Sequence, residues 1–350
     1  ACPAPSAANW LYLSVASLAS SRVDTGDTCM AVPGLAAQQL DVCRRNPDAM
    51  FCVGQGARRG LYQCQYQFRN ERWNCTATNQ TMFEPLLQRG TRETAFIYAV
   101  TSAGVVHAVT QSCSAGNLTD CSCDLSHKKE PPSRNTPEGE VWTWGGCSDD
   151  VSFGISFCRD FVDASDKAKQ TAVQPESKRV NIRALVNLHN NEVGRRVVQQ
   201  LMHKKCRCHG VSGSCAVRTC WMTMPNFQAV GASLKQRYER AVAVAPRSKR
   251  KLRRKLKHMR RTPISPDEIV YMDRSPNYCR RNLGKGVPGT RGRTCNRDSS
   301  APGSCNLLCC GRGYNTQVVR HVERCYCKFY WCCKVKCKLC ETMLDRYTCK

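Results

Sequence analysis

Apolar residues recur every three or four positions in three segments, a spacing that places them on one face of a helix. In 93–113 and 180–202 the periodic positions are Phe96, Ala99, Val100, Ala103, Val106 and Val109, then Val180, Leu185, Leu188, Val197, Val198 and Leu201. In the shorter segment 151–162 they are Ile155, Phe157, Cys158, Phe161 and Val162. The pattern therefore predicts helices packed around a core. We interpret His107 and His189, which lie on these helices, as packed or solvent-facing rather than catalytic.

The last 72 residues lack such a pattern, because Gly, Arg and Lys dominate residues 279–350. That stretch has 12 cysteines, whereas residues 221–278 have none. A chain that cannot close an apolar core needs covalent cross-links. Cysteine density thus predicts a helical domain over 1–245, a linker over 246–266 and a disulfide-held domain over 267–350.

Twenty-seven cysteines in 350 residues indicate an oxidising compartment, since cytosolic thiols are kept reduced. Three glycosylation acceptors, Asn74, Asn79 and Asn117, point the same way. The chain begins at Ala1 rather than Met, so we expect a targeting segment to have been removed. The apolar run 10–18 is too short to span a bilayer. We therefore expect a secreted protein.

The net charge of +26 is concentrated in the linker, where residues 249–261 hold nine Lys or Arg in 13 positions. Like charges so close repel, which favours a mobile tether or a helix that forms on a polyanion. Residues 247–250 also fit a dibasic processing site. Outside the cell the available polyanions are glycosaminoglycans and anionic lipid headgroups rather than nucleic acid, and we expect heparan sulfate to be the partner. The residues predicted to bind it are Lys249, Arg250, Lys251, Arg253, Arg254, Lys255, Lys257, Arg260 and Arg261.

The first cysteine cluster spans 206–220. Joining Cys206 to Cys220 and Cys208 to Cys215 nests two bridges around the six-residue loop 209–214, because cysteines two apart share one face of a strand. Ser212 lies near the tip of that loop. Without further information it reads as an ordinary turn serine.

The second cluster spans 325–340. In an antiparallel hairpin, the sequence numbers of any two facing residues add up to the same value. For three nested cysteine pairs in this segment, the sums agree to within one. The arithmetic favours a hairpin closed by a vicinal bridge at its apex, although spacing alone does not fix connectivity. Phe329, Tyr330 and Trp331 flank that apex, so at least one aromatic ring is expected to be an exposed binding anchor. The alternative is burial against the rest of the domain. The pairs are Cys325–Cys340, Cys327–Cys337 and Cys332–Cys333.

The sequence gives little support for an enzyme active site or for a metal site. The run 210–214 has Ser214 where the G-x-S-x-G elbow of hydrolases needs a glycine. The Cys-x-Cys-His run at 206–209 resembles zinc ligands, but an oxidised chain uses such cysteines for disulfides. We therefore expect no catalytic residue, metal or cofactor.

Four long runs resemble the Wnt family of secreted ligands: 63–75 (QCQYQFRNERWNC), 144–150 (WGGCSDD), 206–215 (CRCHGVSGSC) and 309–316 (CCGRGYNT). The likeness covers nearly the whole chain. ETAFIYAV at 93–100, VVRHVERC at 318–325 and the basic linker are most similar to the subfamily numbered sixteen.

The resemblance implies an α+β fold. A helical N-terminal domain would project residues 206–220, here called the thumb, and a small disulfide-rich β-hairpin C-terminal domain would project residues 325–340, the finger. It further implies the disulfides Cys64–Cys75, Cys113–Cys121, Cys123–Cys147, Cys279–Cys310, Cys295–Cys305 and Cys309–Cys349.

The resemblance also implies a function. Ser212 would carry a palmitoleoyl ester, added by an O-acyltransferase in the endoplasmic reticulum and shielded by a lipid carrier. The lipid would enter the cysteine-rich domain of Frizzled, with an LRP-type co-receptor completing the complex at the cell surface or matrix. The expected receptor contacts are His209, Gly210, Val211, Ser212 and Gly213 in the thumb, and Phe329, Tyr330, Trp331, Cys332 and Cys333 in the finger.

Cys2, Cys52 and Cys158 depart from the family pattern. A Cys52–Cys158 pairing is open to them, which leaves Cys2 unpaired or linked between chains. The competing function is a secreted heparin-binding matrix protein or antagonist that carries no lipid.

Overall fold

The computed structural model describes residues 10–11, 29, 35–76, 85–129, 142–171, 181–215, 217–246 and 251–350. The chain forms two compact units. The first comprises Ala1–Gln67 and Thr78–Ser275, and the second comprises Phe68–Ala77 and Pro276–Lys350. The mixed helical and disulfide-rich architecture predicted from the sequence is confirmed.

Helices dominate the first unit. They are α1 (Ala37–Arg45), α2 (Pro47–Phe68), α3 (Arg92–Ser114), α4 (Val151–Phe161), α5 (Ala164–Thr171), α6 (Ile182–Gln200) and α7 (Phe227–Glu239). The three predicted helices are α3, α4 and α6, correct to within two residues at each end. Thr91, Asp150 and Asn181 begin them by accepting a hydrogen bond from the backbone N–H three residues later. In the described part of the chain, no helix is long and apolar enough to cross a membrane.

Helix α3 is the centre of this unit. The sequence predicts one apolar face, but the helix is buried on nearly all sides because α4, α6 and α7 pack around it. Two glycines allow the backbones to meet. A Cβ on Gly194 would lie 1.9 Å from the Ala99 carbonyl oxygen, and one on Gly104 would lie 2.2 Å from that of Gly56.

A buried ion pair holds α6 to the end of α4. Arg195 Nη2 lies 2.8 Å from Asp163 Oδ2, and the two side chains are only 2% and 6% exposed. Glu192 Oε2 lies 2.9 Å from the same guanidinium. Removing one partner of such a pair leaves an uncompensated buried charge, so the pair fixes the helix packing.

The pairing of Cys52 with Cys158 is wrong, because both residues are free buried thiols on different helices. Cys52 donates to Ser112 Oγ over 3.1 Å, and Cys158 lies 3.4 Å from Ser102 Oγ. Burial raises the pKa of both thiols, so they stay protonated and unreactive. Cys2 lies outside the described residues.

Both predicted packed histidines are engaged with carbonyl oxygens. His107 Nε2 lies 3.1 Å from the oxygen of Pro225, and His189 Nε2 lies 2.7 Å from that of Glu268. Burial lowers the pKa of each imidazole, so both rings are neutral packing elements at physiological pH.

The strands of the first unit form two small sheets. In one, β1 (Trp142–Trp144) pairs parallel with β3 (Arg218–Thr223), which pairs antiparallel with β2 (His203–Cys208). In the other, β4 (Val242–Ala243) pairs parallel with β5 (Val270–Tyr271).

The division between units differs from the predicted linker at 246–266, since the first unit continues to Ser275. Two apolar residues of the predicted linker, Leu252 and Ile264, pack against a core cluster that includes Val244 and Val270. Arg254 donates to both carboxylate oxygens of Glu268. These apolar anchors hold the described part of the linker, residues 251–266, on the first unit. Residues 247–250, the dibasic site, lie outside the described residues.

The second unit depends on cross-links. Its elements are β6 (Thr294–Cys295), α8 (Cys305–Leu308), β7 (Tyr314–Tyr330) and β8 (Lys334–Cys349), with sheet order β6–β8–β7. Cys305, Leu308, Cys309 and Cys349 form its buried cluster. Disulfides replace the apolar core, as the composition predicts. The bridges here are Cys279–Cys310, Cys295–Cys305 and Cys309–Cys349.

The buried ion pair generates a stability prediction. Asp163→Asn should lower the free energy of unfolding by about 3 kcal/mol, because Arg195 then stays buried with only Glu192 to offset its charge. Asp41→Asn is the matched control, since Asp41 and its partner Arg45 are about two-thirds exposed and such pairs contribute about 0–1 kcal/mol. Urea denaturation of the two variants measures the difference. Equal effects would contradict a structural role for the buried pair.

Candidate functional site

The thumb is an antiparallel hairpin whose ends are clamped by two disulfides. Cys206 lies directly opposite Cys220 in the β2–β3 register and is bonded to it. Cys208 bonds Cys215 and closes the loop above. This is the nested pairing predicted from the spacing. The parallel strand β1 supports the base, where Lys204 Nζ lies 3.9 Å from the Trp142 ring centroid.

The thumb loop is a tight turn with a defined backbone. His209 N–H donates to the Val217 carbonyl, and Gly210 N–H donates to that of Ser214. Position 210 requires glycine, because a Cβ would lie 2.4 Å from the backbone carbonyl oxygen of Ser214. Ser212 and Gly213 are both left-handed, with φ of 56° and 77°. A non-glycine residue rarely adopts this conformation, and such strain clusters at functional positions.

Ser212 presents its hydroxyl to solvent. The side chain is exposed, and the preceding Val211 is 90% exposed. Within the described residues the Ser212 hydroxyl makes no hydrogen bond, and His209 Nε2 instead lies 2.5 Å from Thr219 Oγ1. A catalytic serine needs an adjacent base. The geometry therefore fits an attachment point rather than a nucleophile.

The finger is the outer part of the β7–β8 hairpin. Cys325–Cys340 and Cys327–Cys337 are bonded as predicted. The register differs from the predicted one, because Cys325 faces Lys338 rather than Cys340. A bulge between Cys325 and Lys328 absorbs the difference. Cys325 and Cys340 are therefore diagonal neighbours across the hairpin, whereas Cys327 lies within the bulge opposite Cys337.

The apex exposes its aromatic rings, and Trp331 is 93% exposed and Phe329 66% exposed. The predicted bridge between Cys332 and Cys333 is wrong, because both are free and exposed. Both residues are left-handed, with φ of 69° and 68°. Positive φ at successive positions matches the twist of the flanking strands, so the turn closes by backbone geometry rather than by a disulfide.

The sequence interpretation missed Tyr326, which lies in the bulge with φ of 47° and is 77% exposed. A signal was present. The linked cysteines are two positions apart on one strand and three apart on the other, 325 and 327 against 337 and 340. Unequal spacing across a ladder implies an extra residue, and bulges turn side chains outward.

Several residues of the segment 249–261, here called the basic run, line a pocket of about 930 Å³ on the first unit. Its lining includes the apolar Leu185 and the cationic residues Arg253, Lys257, Arg260 and Arg261. Arg254, a predicted heparan contact, is instead committed to Glu268. Of the other predicted contacts, Lys251 lines the pocket, Lys255 is exposed, and Lys249 and Arg250 lie outside the described residues.

Other predicted modification and cross-link positions are distributed over the surface and the loops. Asn117 is exposed, Asn74 is half-buried and Asn79 lies outside the described residues. The predicted bridges Cys113–Cys121 and Cys123–Cys147 are present, as is Cys29–Cys43, which was not predicted. Cys64 and Cys75 are both disulfide-bonded.

Comparison with known proteins gives a consistent result. The sequence profile of the wnt family matches residues 31–350. Protein Wnt-16 from Mus musculus is 48% identical over 99% of this chain and 94% of its own length. Protein Wnt-16 from Bos taurus is 49% identical over the same shares. A chain of human WLS in complex with WNT8A has a TM-score of 0.61 and 35% identity, over 86% of this chain and 94% of that one.

The free thiols generate a prediction. Alkylation of the native protein without reductant should modify Cys332 and Cys333 but neither Cys52 nor Cys158, because only the first two are exposed. Denaturation without reductant should expose the buried pair as well. Peptide mass spectrometry measures each site, with Cys332→Ser/Cys333→Ser as the control. Unmodified Cys332 and Cys333 joined in one bridged peptide would contradict the structure.

Proposed function

The chain belongs to the Wnt family, and on that premise we propose that it binds the cysteine-rich domain of Frizzled receptors through a lipid on Ser212. It is a secreted Wnt signalling ligand and not an enzyme. Its similarity to Wnt-16 proteins agrees with the subfamily expected from the sequence.

The observation that carries the proposal is the exposed Ser212 hydroxyl on a rigid, projecting turn. An acyltransferase needs such a hydroxyl, free of internal hydrogen bonds. The two bridges, Cys206–Cys220 and Cys208–Cys215, would keep the attached chain from folding back on the protein. Preorganisation of this kind reduces the entropy lost on binding.

The lipid supplies most of the binding free energy in this account. Burial of a palmitoleoyl chain is favourable by about 0.8 kcal/mol for each methylene, or roughly 10 kcal/mol in total. Association entropy and desolvation offset a large part of that. The remainder still exceeds the contribution of a typical side-chain anchor. Val211 and Gly213 would line the entrance of the receptor groove, together with His209 and Gly210.

The finger apex is proposed as a second contact on the same receptor domain. Exposed Trp and Phe side chains on a rigid support are typical binding hot spots. Trp331 and Phe329 would make the principal contacts. Tyr330, Cys332 and Cys333 would surround them.

Further partners follow from the family. We propose an O-acyltransferase of the endoplasmic reticulum, an LRP-type co-receptor and a lipid carrier. The similarity to a chain of the WLS–WNT8A complex supports a carrier of the WLS kind. We also propose that heparan sulfate binds the basic run, through Arg253, Lys257, Arg260 and Arg261. N-glycans would occupy Asn74, Asn79 and Asn117.

The competing function, a lipid-free heparin-binding matrix protein, is favoured by the charge of the basic run alone. It leaves the strained, exposed Ser212 without a purpose. The two functions differ in their dependence on that hydroxyl.

Replacing Ser212 tests the proposal. Ser212→Ala should lower affinity for the Frizzled cysteine-rich domain by at least about a thousandfold, since the loss of even 4 kcal/mol has that effect. Surface plasmon resonance measures it. Ser214→Ala is the matched control, because Ser214 is an exposed serine two residues away in the same loop. Binding that survives in Ser212→Ala would identify another main anchor, while retention on heparin should not change in either variant.

The finger apex has its own test. Trp331→Ala should weaken receptor binding by about 2 kcal/mol, or roughly thirtyfold, because it removes an aromatic ring that is 93% exposed. Tyr62→Ala is the control, since Tyr62 is a 70% exposed aromatic on α2. Calorimetry with the isolated receptor domain measures both. Equal affinities would exclude the apex from the interface.

A further inference from the structure

The outer part of the β7–β8 hairpin is cationic, and the acidic residues of the hairpin lie nearer its base. Residues 324–340 contain Arg324, Lys328, Lys334, Lys336 and Lys338 and not one Asp or Glu. The carboxylates of the hairpin lie nearer its base, where Glu341 pairs with Arg320 and Glu323 lies 3.7 Å from His321. This charge is remote in sequence from the basic run of the first unit.

The strand register places four of these lysines on one face. Lys334, Lys336 and Lys338 alternate along β8, so their side chains point the same way. Lys328 lies directly opposite Lys336 on β7. The Tyr330 ring joins them, with Lys336 Nζ 5.6 Å from its centroid. We call these four lysines the lysine face.

The opposite side of the hairpin is apolar towards the apex, and Arg324 lies on that side farther down, opposite Leu339. Phe329 pairs with Val335, which alternates with Cys337 and Leu339 along β8. Leu339 is 71% exposed and Val335 60% exposed. The finger is thus amphipathic, with its two faces back to back.

The lysine face carries unneutralised charge. Across the residues that the structure describes, no carboxylate lies within salt-bridge distance of Lys328, Lys334, Lys336 or Lys338. Like charges directly opposite each other destabilise a hairpin, as Lys328 and Lys336 do here. The bridges Cys325–Cys340 and Cys327–Cys337 hold the strands together against that repulsion. The face is therefore preorganised for an anionic ligand.

We propose that the lysine face is a binding site for a sulfated glycan chain. Three lysines repeat at about 6.8 Å along β8, which gives a row of roughly 14 Å suited to a linear polyanion. An anionic membrane fits less well. A bilayer that meets the lysine face leaves the apolar face in water, and one that meets the apolar face turns the lysines away. A narrow glycan chain needs only the one face.

This site adjoins the proposed receptor contact at the apex, because the Tyr330 ring borders both. It uses neither Ser212 nor the apex residue Trp331, and it lies on the second unit. A chain bound there would retain the ligand in the matrix by its finger. The inference does not depend on acylation, so it is tested on the Ser212→Ala protein.

Lysine footprinting locates the site without perturbing the fold. The full chain carrying Ser212→Ala is acetylated with and without a heparin octasaccharide, and each lysine is quantified by peptide mass spectrometry. Lys328, Lys334, Lys336 and Lys338 should be protected. Lys285, an exposed lysine of the same unit, should not be. Reaction of the four lysines that is unchanged by the octasaccharide would overturn the proposal.

Affinity measurements separate a site from bulk charge. Lys334→Gln/Lys336→Gln/Lys338→Gln should weaken octasaccharide binding on the order of tenfold, since it removes three of the four cations of the lysine face. The charge-matched control is Arg280→Gln/Lys285→Gln/Arg291→Gln, which removes three exposed cations from the same unit. Equal losses in both variants would overturn the site. The proposal would also be overturned if the first variant bound the octasaccharide normally but no longer bound phosphatidylserine vesicles.

Discussion

The parts of this protein that are proposed to bind are exposed, and that constraint governs how they are built. A residue that packs into a core is positioned by its neighbours, but Ser212 and Trp331 have to face solvent. Their positions are fixed by covalent bonds instead. Two nested bridges hold the thumb, and two more hold the finger strands. Without these bridges a thin hairpin with few buried side chains would be marginal in water.

The two units meet this constraint in different ways. The first has an ordinary helical core around α3, locked by close glycine contacts and by the Arg195–Asp163 pair. It can therefore support a projecting thumb on a small sheet. The second has little apolar core, and cystines occupy the place of one. The second unit therefore tolerates reduction of its disulfides poorly. Its benefit is a long hairpin whose two faces and apex are all available for binding.

Much of this architecture could be predicted from the sequence. Three- and four-residue periodicity located α3, α4 and α6, and cysteine spacing located the nested bridges of both hairpins. Spacing predicted that Ser212 lies on a projecting turn, whereas its acylation came only from the family resemblance and stays a proposal.

Other features depend on information that spacing does not contain. The bulge at Tyr326 shifts the finger register, which a constant sum of positions does not predict. That sum also favoured a Cys332–Cys333 bridge, but both thiols are free. Cys52 and Cys158 were paired by elimination, but each packs against a serine on a different part of α3. Charge density suggested a mobile tether, while Leu252 and Ile264 anchor it to a core. For the two buried thiols and the linker, tertiary packing overrode a local pattern.

The account is tested most directly by the mass of the peptide that contains Ser212, taken from protein secreted by cells. An acylated ligand predicts that this peptide carries one palmitoleoyl ester, removed by mild base, and that the corresponding Ser212→Ala peptide carries none. An unmodified peptide in a secreted protein that still binds Frizzled would contradict the central claim, that the thumb exists to present a lipid.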